Sequence, residues 1–378
     1  MSVSSRRLRI VFLTTVGRNV GDEFIREGIR SFFDALLGPT GYDAYHVCKH
    51  DLATLSTRVY DEPEMLADKF RDADVIVQAG APVYWNNGKH KSHNADWAQP
   101  LWFDRIFPLG RTKLILNLGA GAGQKDEGDL DTLLADRGLI DFARRAGQAC
   151  AWTSVRDPLA AAFLDAINVS CDLLPCPAFH AARRASGPGT LPPAADDGLA
   201  VNFMELAGHF RLKPSTDAAK WRNVIDELLP RLRLRHKLLF VAHDQAEADF
   251  QKTLATPGED VFVSADYREY LKLYARVKGI VANRVHGAVT VAGFGRPAVI
   301  VGNDCRIGIA RPIGLPACDS AEATANWIVS ALADQMDERE TLNSERMALR
   351  ESSAEQYTTK LRGLLVARFG KPTVRRAA

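Results

Sequence analysis

Short apolar runs alternate with helix-like patterns along most of this chain, and this alternation constrains the fold more than any other feature. Runs such as RIVFLTTV, ADVIVQAG and TKLILNLGAGAG are rich in β-branched residues and pass into glycines or polar residues. Between them, segments such as EFIREGIRSFFDALL and RDPLAAAFLDAI repeat apolar residues at helical spacing. In the second of these, Asp157 and Pro158 are typical of an N-cap and a first helical residue. The alternation predicts parallel sheets that are covered by helices on both faces.

A change in composition divides the alternation of strand-like and helix-like segments into two parts. Residues 183–198, RRASGPGTLPPAADDG, are rich in Pro, Gly and Asp and are typical of a linker. The runs LAVNFM, KLLFVAHD, DVFVSA, GIVAN and PAVIVG then start the pattern again. We predict an α/β fold of two Rossmann-like, doubly wound parallel-sheet domains that face each other across a cleft. The expected domains are residues 1–185 and 199–335, with the helical region 336–378 packing back on the first domain.

Composition excludes several classes of function. The chain has 378 residues, with 48 Lys and Arg against 46 Asp and Glu, so the net charge of +2 gives no field that would favour nucleic acid. No apolar run approaches the roughly 20 residues of a membrane span, and the N-terminal run leads into a turn as a first strand would. We therefore expect a cytoplasmic protein, at most peripheral to a membrane. The six cysteines and nine histidines show no convincing ligand spacing, so we expect no metal and no cofactor.

The residues that follow each strand of the first domain are candidates for binding, because ligands of open α/β sheets lie beyond the carboxyl ends of the strands. Asn19 and Asp22 follow the first strand, where they serve either as turn and N-cap residues or as partners for hydroxyl groups. Trp85, Trp97 and Trp102 crowd into the stretch after VIVQAG. Their rings either stack on sugar surfaces or pin this stretch to the core.

Cationic side chains occupy two further strand ends. Arg156 precedes the predicted cap Asp157, where it either binds an anion at the helix N-terminus or pairs with that aspartate. Arg284 and His286 follow the strand GIVAN and precede the small, apolar helix GAVTVAGF. A histidine buried in a core with its hydrogen bonds satisfied is the alternative for His286. Because two neighbouring cations are costly at a buried position without an anion, we interpret this pair as an anion site.

Four motifs together resemble the polysaccharide pyruvyltransferase family. They are NVGDEFI, SVRDP, CPAF and ANRVHGAVTVAGFGRPAVIVGNDCRI, and the likeness spans roughly residues 15–310. Arg306 stands where the family more often has lysine, and Cys176 precedes Pro177 where an aspartate is usual. The resemblance implies a glycosyltransferase-B-like architecture, phosphoenolpyruvate as donor and a sugar diol as acceptor. It also implies a cyclic pyruvate ketal as product, with release of phosphate and with neither nucleotide nor metal.

The resemblance and the chemistry of this transfer together suggest a role for each candidate residue. His286 is the expected general acid, while Arg156, Arg284 and Arg306 are expected to bind the donor. The residues expected to contact the acceptor, which is a sugar or a lipid-linked glycan, are Asn19, Asp22, Trp85 and Trp97. Two other functions remain open: a nucleotide-sugar glycosyltransferase of the same architecture, and a glycan-binding protein without catalytic activity.

Overall fold

Two parallel sheets, one in each half of the chain, form the centre of the protein. The computed structural model describes residues 7–14, 19–48, 69–95, 98–186, 198–208 and 217–370. The first sheet has the strand order β2-β1-β3-β7-β8-β9, with β4 also paired to β7, and an antiparallel hairpin of β5 and β6 follows β4. The strands of this half are β1 (Leu8–Thr14), β2 (Tyr42–Cys48), β3 (Val75–Ala79), β4 (Pro82–Tyr84), β5 (Asn86–Asn87), β6 (His90–Lys91), β7 (Leu114–Ala122), β8 (Trp152–Val155) and β9 (Asp172–Leu173).

The second sheet repeats the plan of the first. Its order is β12-β11-β10-β13-β14-β15, and every pairing is parallel. Its strands are β10 (Leu199–Asn202), β11 (Leu238–Val241), β12 (Val261–Phe262), β13 (Gly279–Ala282), β14 (Ala298–Gly302) and β15 (Ala317–Asp319). In both sheets the chain winds outward in one direction and then returns to wind in the other, as in Rossmann-like domains. The predicted fold class is confirmed.

Helices cover the faces of both sheets. In the first half they are α1 (Val20–Leu37), α2 (Phe107–Leu109), α3 (Leu130–Leu134), α4 (Arg137–Ala149), α5 (Pro158–Ala166) and α6 (Ala181–Ser186). In the second half they are α7 (Ala218–Arg233), α8 (Gln245–Lys252), α9 (Tyr267–Tyr274), α10 (Val285–Gly293), α11 (Ala325–Asp337) and α12 (Arg339–Phe369). The segment Ala98–Ile106 is a π-helix, and short 3₁₀-helices lie at Ser92–Asn94, Pro177–His180 and Cys305–Ile313. Asp157 caps α5 by accepting from the Ala160 amide, as predicted.

The two halves share one hydrophobic core. A continuous cluster of buried side chains includes residues of both sheets and of α1, α10 and α12. Close backbone approach accompanies this packing: a Cβ added at Gly293 of α10 would lie 2.2 Å from the Phe179 carbonyl oxygen. Two smaller clusters fill the outer face of each sheet. The halves are therefore packed firmly against each other along one side of the cleft.

The long C-terminal helix α12 lies against the first half of the chain. The Tyr357 ring stacks on the Phe32 ring of α1, with the centroids 4.4 Å apart and the planes at 11°, and it also contacts Trp152. The predicted domain boundaries stay a prediction, and most of the proposed linker, residues 187–197, lies outside the described residues. Within the described part of the chain, no helix has the length and apolar character needed to cross a membrane.

Candidate functional site

A cleft with a volume of about 420 Å³ lies between the carboxyl ends of the two sheets. The structure brings seven of the eight predicted site residues to its walls: Asn19, Asp22, Trp85, Arg156, Arg284, His286 and Arg306. The eighth, Trp97, lies outside the described residues. These residues were chosen from the sequence because they follow strands, and ligands of open α/β sheets lie beyond the carboxyl ends of the strands.

Three helix N-termini meet at the cleft. Helix α1 contributes Gly21 and Asp22, α5 begins just after Arg156, and α10 begins between Arg284 and His286. A helix N-terminus carries partial positive charge and unpaired backbone N–H groups, and it attracts anions. Three such ends from two domains, together with the arginines, make the cleft a site suited to a small anion.

Arg156 is the cation whose setting is most unusual. Its side chain is fully buried, yet none of its three guanidinium nitrogens has hydrogen-bond geometry with a described residue. The Cys176 thiol lies near the guanidinium, whose charge opposes the rise that burial causes in the pKa of Cys176. It occupies space left open by Gly121, where an added Cβ would lie 2.7 Å from Arg156 Nε. The guanidinium lies near the Asp157 carboxyl, whose pKa is raised by burial although the Arg156 charge opposes the shift. A buried arginine without hydrogen bonds is costly, and an anionic ligand would offset that cost.

His286 stands at the contact between the two domains. Its Nδ1 faces α1, where a Cβ added at Gly21 would lie only 2.8 Å away. Its Nε2 has no hydrogen-bond partner among the described residues. Burial, followed by the charges of Arg156 and Arg306 and smaller contributions from His243 and Arg284, holds the pKa of His286 well below its usual range. The imidazole is therefore neutral at neutral pH while the cleft is empty.

Arg284 already has anionic partners within its own domain. Its Nε donates to Glu247 Oε1 at 2.6 Å, and its Nη2 donates to Asp244 Oδ2 at 2.9 Å. Its backbone amide donates to Asn202 Oδ1 at 2.8 Å. The inference that the Arg284–His286 pair needs a bound anion was therefore incomplete, because two carboxylates of α8 and its cap supply much of the compensating charge.

Arg306 is held in the same manner. Its Nε donates to Asp304 Oδ1 at 2.8 Å, and the same oxygen accepts from its backbone amide at 3.0 Å. Burial lowers the pKa of Arg306, but the charge and the hydrogen bond of Asp304, with smaller contributions from Cys305 and Asp22, together raise it. Of the three arginines in the cleft, Arg284 and Arg306 are oriented by carboxylates, whereas Arg156 has no hydrogen bond from its guanidinium to any described residue.

The polar residues after β1 have capping roles as well as a place in the cleft. Asn19 Oδ1 accepts from the Gly21 amide at 3.1 Å, so Asn19 is the N-cap of α1. Asp22 lies in the first turn of that helix and is 3% exposed. Both side chains line the cleft. For Asn19, the capping alternative raised from sequence is present in the structure.

The tryptophans separate into different environments. Trp85 is half-buried and lines the cleft, with its Cβ 3.3 Å from the position that a Cβ on Gly123 would take. Trp102 is fully buried in the core of the first half, where it packs against Phe107 and Phe142. The core alternative is therefore correct for Trp102, and Trp85 is the tryptophan that the structure places where a ligand can reach it.

Sequence reasoning missed His243, which follows β11 and lines the cleft. Its Nε2 lies 2.8 Å from the Tyr274 hydroxyl, and its backbone amide donates to Glu247 Oε2 at 3.0 Å. Burial, aided by the nearby Arg284 charge, lowers the pKa of His243 to about 3. The signal was available, because the run KLLFVAHD places His243 directly after a buried strand.

No group of three or more His, Cys, Asp or Glu side chains able to hold a metal ion occurs in the described part of the chain. His90 lines the cleft, but His93 lies apart from it, with Nδ1 4.0 Å from Asp136 Oδ2.

Two solved structures with a similar architecture are described as UDP-N-acetylglucosamine 2-epimerases. A Listeria monocytogenes protein described as a UDP-N-acetylglucosamine 2-epimerase matches with a TM-score of 0.54 and 10% identity over 96% of each chain. The UDP-GlcNAc 2-epimerase of Methanocaldococcus jannaschii, in complex with UDP-GlcNAc and UDP, matches with a TM-score of 0.51 and 11% identity over 94% of this chain and 99% of that one. At such low identity these matches show the fold alone, which is that of two Rossmann-like domains in the glycosyltransferase-B arrangement.

Sequence comparison identifies the family. No curated protein matches the chain in a direct search. The family profile of polysaccharide pyruvyl transferases matches residues 19–304, a span that includes every described residue of the cleft except Arg306 and Ile307. This span exceeds half of the 378 residues. The chain therefore belongs to the polysaccharide pyruvyl transferase family.

Proposed function

We propose that this protein transfers pyruvate from phosphoenolpyruvate to two hydroxyl groups of a sugar in a glycan or glycan precursor. The product is a cyclic pyruvate ketal, and phosphate is released. The observation that carries the proposal is the pairing of Arg156, whose guanidinium has no hydrogen-bond partner among the described residues, with the neutral His286 in one cleft. A compact trianion such as phosphoenolpyruvate would give Arg156 an anionic partner and would favour protonation of His286.

The reaction requires a proton at the methylene carbon of the donor. Protonation there converts the enol carbon to an oxocarbenium-like centre, which a sugar hydroxyl attacks to form the first C–O bond. The bond between this carbon and the phosphate oxygen breaks, and a second hydroxyl closes the ketal. The two hydroxyl protons balance the new methyl hydrogen and the proton carried by the released phosphate.

His286 is suited to supply this proton only when the donor is bound. Without the donor, burial and the charges of neighbouring arginines lower the pKa of His286. Three negative charges in the cleft would oppose the arginine contribution and raise that pKa, so the imidazolium forms with the donor in place. His286 is therefore protonated, and able to act as an acid, only when the donor is bound.

The three arginines contribute to donor binding in different ways. Arg156 offers its whole guanidinium, which can bind a carboxylate or a phosphate through two parallel hydrogen bonds. Arg284 and Arg306 keep fixed positions through Asp244, Glu247 and Asp304, and they add positive potential at the two sides of the cleft. Asn19, Asp22 and Trp85 lie on the first-domain wall, where we place the acceptor sugar.

Calorimetric titration with phosphoenolpyruvate and with UDP-GlcNAc tests the proposal, because the fold neighbours include enzymes bound to UDP-GlcNAc. We expect binding of phosphoenolpyruvate, with uptake of a proton that is absent in His286→Gln. Binding of UDP-GlcNAc in place of phosphoenolpyruvate would favour a nucleotide-sugar glycosyltransferase. Binding of neither donor, with retention of glycan binding, would favour a protein without catalytic activity.

A further inference from the structure

A second and larger depression adjoins the cleft on the first-domain side. This groove has a volume of about 1200 Å³, and Asn87 lines both the groove and the cleft. The hairpin of β5 and β6 forms the ridge between the two depressions, with His90 toward the cleft and Lys91 toward the groove. A ligand longer than one sugar could therefore extend from the cleft into the groove.

The charges along the groove offset each other. Its cationic residues are Lys91, Lys125 and Arg137, and its anionic residues are Asp126, Asp129 and Asp136. Within this set, Lys91 Nζ lies 3.0 Å from Asp136 Oδ2. An acidic polymer would meet repulsion from the carboxylates, and a basic one would meet repulsion from the cations. The balance favours a ligand that is polar but uncharged.

The remaining groove residues favour hydroxyl groups over an apolar chain. They are Asn86, Asn87, Gly88, Gly128, Thr132, Ala135 and Gly138, and none of them carries a large apolar side chain. Amide, carboxylate and ammonium groups can all hydrogen-bond a sugar hydroxyl, which both donates and accepts. Among the described residues of the groove, a lipid chain would find no large apolar side chain to cover.

The groove wall is held in a defined shape. The Asn86 amide donates to Gln124 Oε1 at 2.8 Å, and Asn86 Nδ2 donates to Asp136 Oδ2 at 3.1 Å. The hairpin turn at Gly88 has a φ of 74° and closes with a hydrogen bond from its amide to Asn86 Oδ1. Asn87 Oδ1, at the junction of groove and cleft, is buried without a hydrogen-bond partner among the described residues. Asn87 therefore presents an acceptor to a ligand that bridges the two depressions.

We propose that this groove binds the sugar residues adjacent to the one modified in the cleft, and that its ligand is a neutral oligosaccharide. Trp85 stands directly before the hairpin and lines the cleft, so the chain of sugars passes over the ridge beside it. That the modified sugar lies in the cleft rests on the proposed function. Oligosaccharide binding in the groove does not require turnover.

A steric block in the groove provides the test. A Cβ added at Gly128 has no heavy atom within 4 Å, and Gly128 lines only the groove, so Gly128→Trp fills the groove without displacing the cleft. Gly363 in α12 has equally open surroundings and lines neither depression, so Gly363→Trp is the matched control. The probes are linear gluco-, galacto- and manno-oligosaccharides of graded length, and an oligogalacturonate series is the acidic comparison.

Calorimetry with phosphoenolpyruvate present should show affinity that increases about tenfold or more from a monosaccharide to an oligosaccharide in at least one neutral series. Gly128→Trp should remove this increase while Gly363→Trp keeps it. Affinity that is independent of length in every series, a preference for the acidic series, or an unchanged increase in Gly128→Trp would overturn the proposal. Length-dependent binding without phosphate release would support oligosaccharide binding in the groove and refute pyruvate transfer. Phosphate release without a length effect would support pyruvate transfer and refute oligosaccharide binding in the groove.

Discussion

Replacing Arg156 by methionine should separate donor binding from stability. The substitution keeps much of the side-chain length and apolar volume but removes a fully buried guanidinium that has no hydrogen-bond partner among the described residues. Removing the buried charge is favourable, whereas Asp157 loses a neighbouring positive charge and keeps its hydrogen bonds from the Ala122 and Ala160 amides. Because these two effects oppose each other, we expect the free energy of unfolding of the protein without donor to change by less than about 1 kcal/mol.

Donor affinity should fall sharply in the same variant. Two charge-assisted hydrogen bonds to the donor would contribute about 1.5–3 kcal/mol each. Their loss corresponds to a Kd for phosphoenolpyruvate that is roughly 10²–10⁴ times higher. Titration calorimetry gives the Kd, and denaturant unfolding of the empty protein gives the stability.

Arg350→Met is the matched control for Arg156→Met. Arg350 is also fully buried, but it lies outside the cleft and its Nη1 donates to the Gly293 carbonyl at 2.9 Å. Its replacement should leave the Kd for phosphoenolpyruvate unchanged and lower the free energy of unfolding by about 1–3 kcal/mol, because a buried carbonyl loses its partner. An Arg156→Met protein that is strongly destabilised, or that binds the donor with unchanged Kd, would refute this reasoning.

Three further substitutions test other parts of the cleft. His286→Gln should lower kcat by about 10²–10⁴-fold. In the wild type, kcat/KM for phosphoenolpyruvate should fall as pH rises through the low pKa of His286 in the free enzyme. The value of kcat should fall only at a higher pH, because the bound donor raises the pKa of His286. If kcat/KM and kcat fell over the same pH range, donor-coupled protonation would be contradicted. Gly21→Ala places a Cβ 2.8 Å from His286 Nδ1 and should lower kcat roughly 10–10²-fold, whereas Gly363→Ala, in open surroundings, should leave kcat unchanged. Equal rates in the two variants would show that His286 need not hold this position. Trp85→Ala should raise the acceptor KM roughly tenfold with an unchanged donor Kd, and an unfolded variant would instead assign Trp85 to packing.

Local patterns were sufficient to predict most of the fold. The runs before Gly80 and Gly123 and the run GIVA are buried parallel strands because apolar β-branched residues fit a sheet covered on both faces. The Asp157–Pro158 signal predicted the start of α5 because capping depends on adjacent residues. The edge strands β2 and β15 were missed, since Tyr42–Cys48 and Ala317–Asp319 mix polar with apolar residues.

Sequence reasoning placed seven of its eight candidate residues in the cleft, but it missed His243 and did not predict the electrostatics of the cleft. The positions after strands located Arg156, Arg284 and His286 because the topology brings strand ends together. The partners of Arg284 could not be found in this way, because Asp244 and Glu247 lie 40 and 37 residues away in sequence and meet it only in the folded sheet. Trp102 shows the same limit, since only the packed structure distinguishes a core ring from one that faces a ligand.

The most direct test of pyruvate transfer is a proton NMR spectrum of glycan treated with the enzyme and phosphoenolpyruvate in D₂O. The graded neutral oligosaccharides serve as acceptors, and free phosphate is measured in the same samples. Pyruvate transfer should give a ketal whose methyl group carries a single deuterium from solvent, formed in equal amount with phosphate and about 10²–10⁴-fold more slowly with His286→Gln. Unmodified glycan in every series while phosphoenolpyruvate binds the cleft, or a ketal methyl group without deuterium, would contradict it.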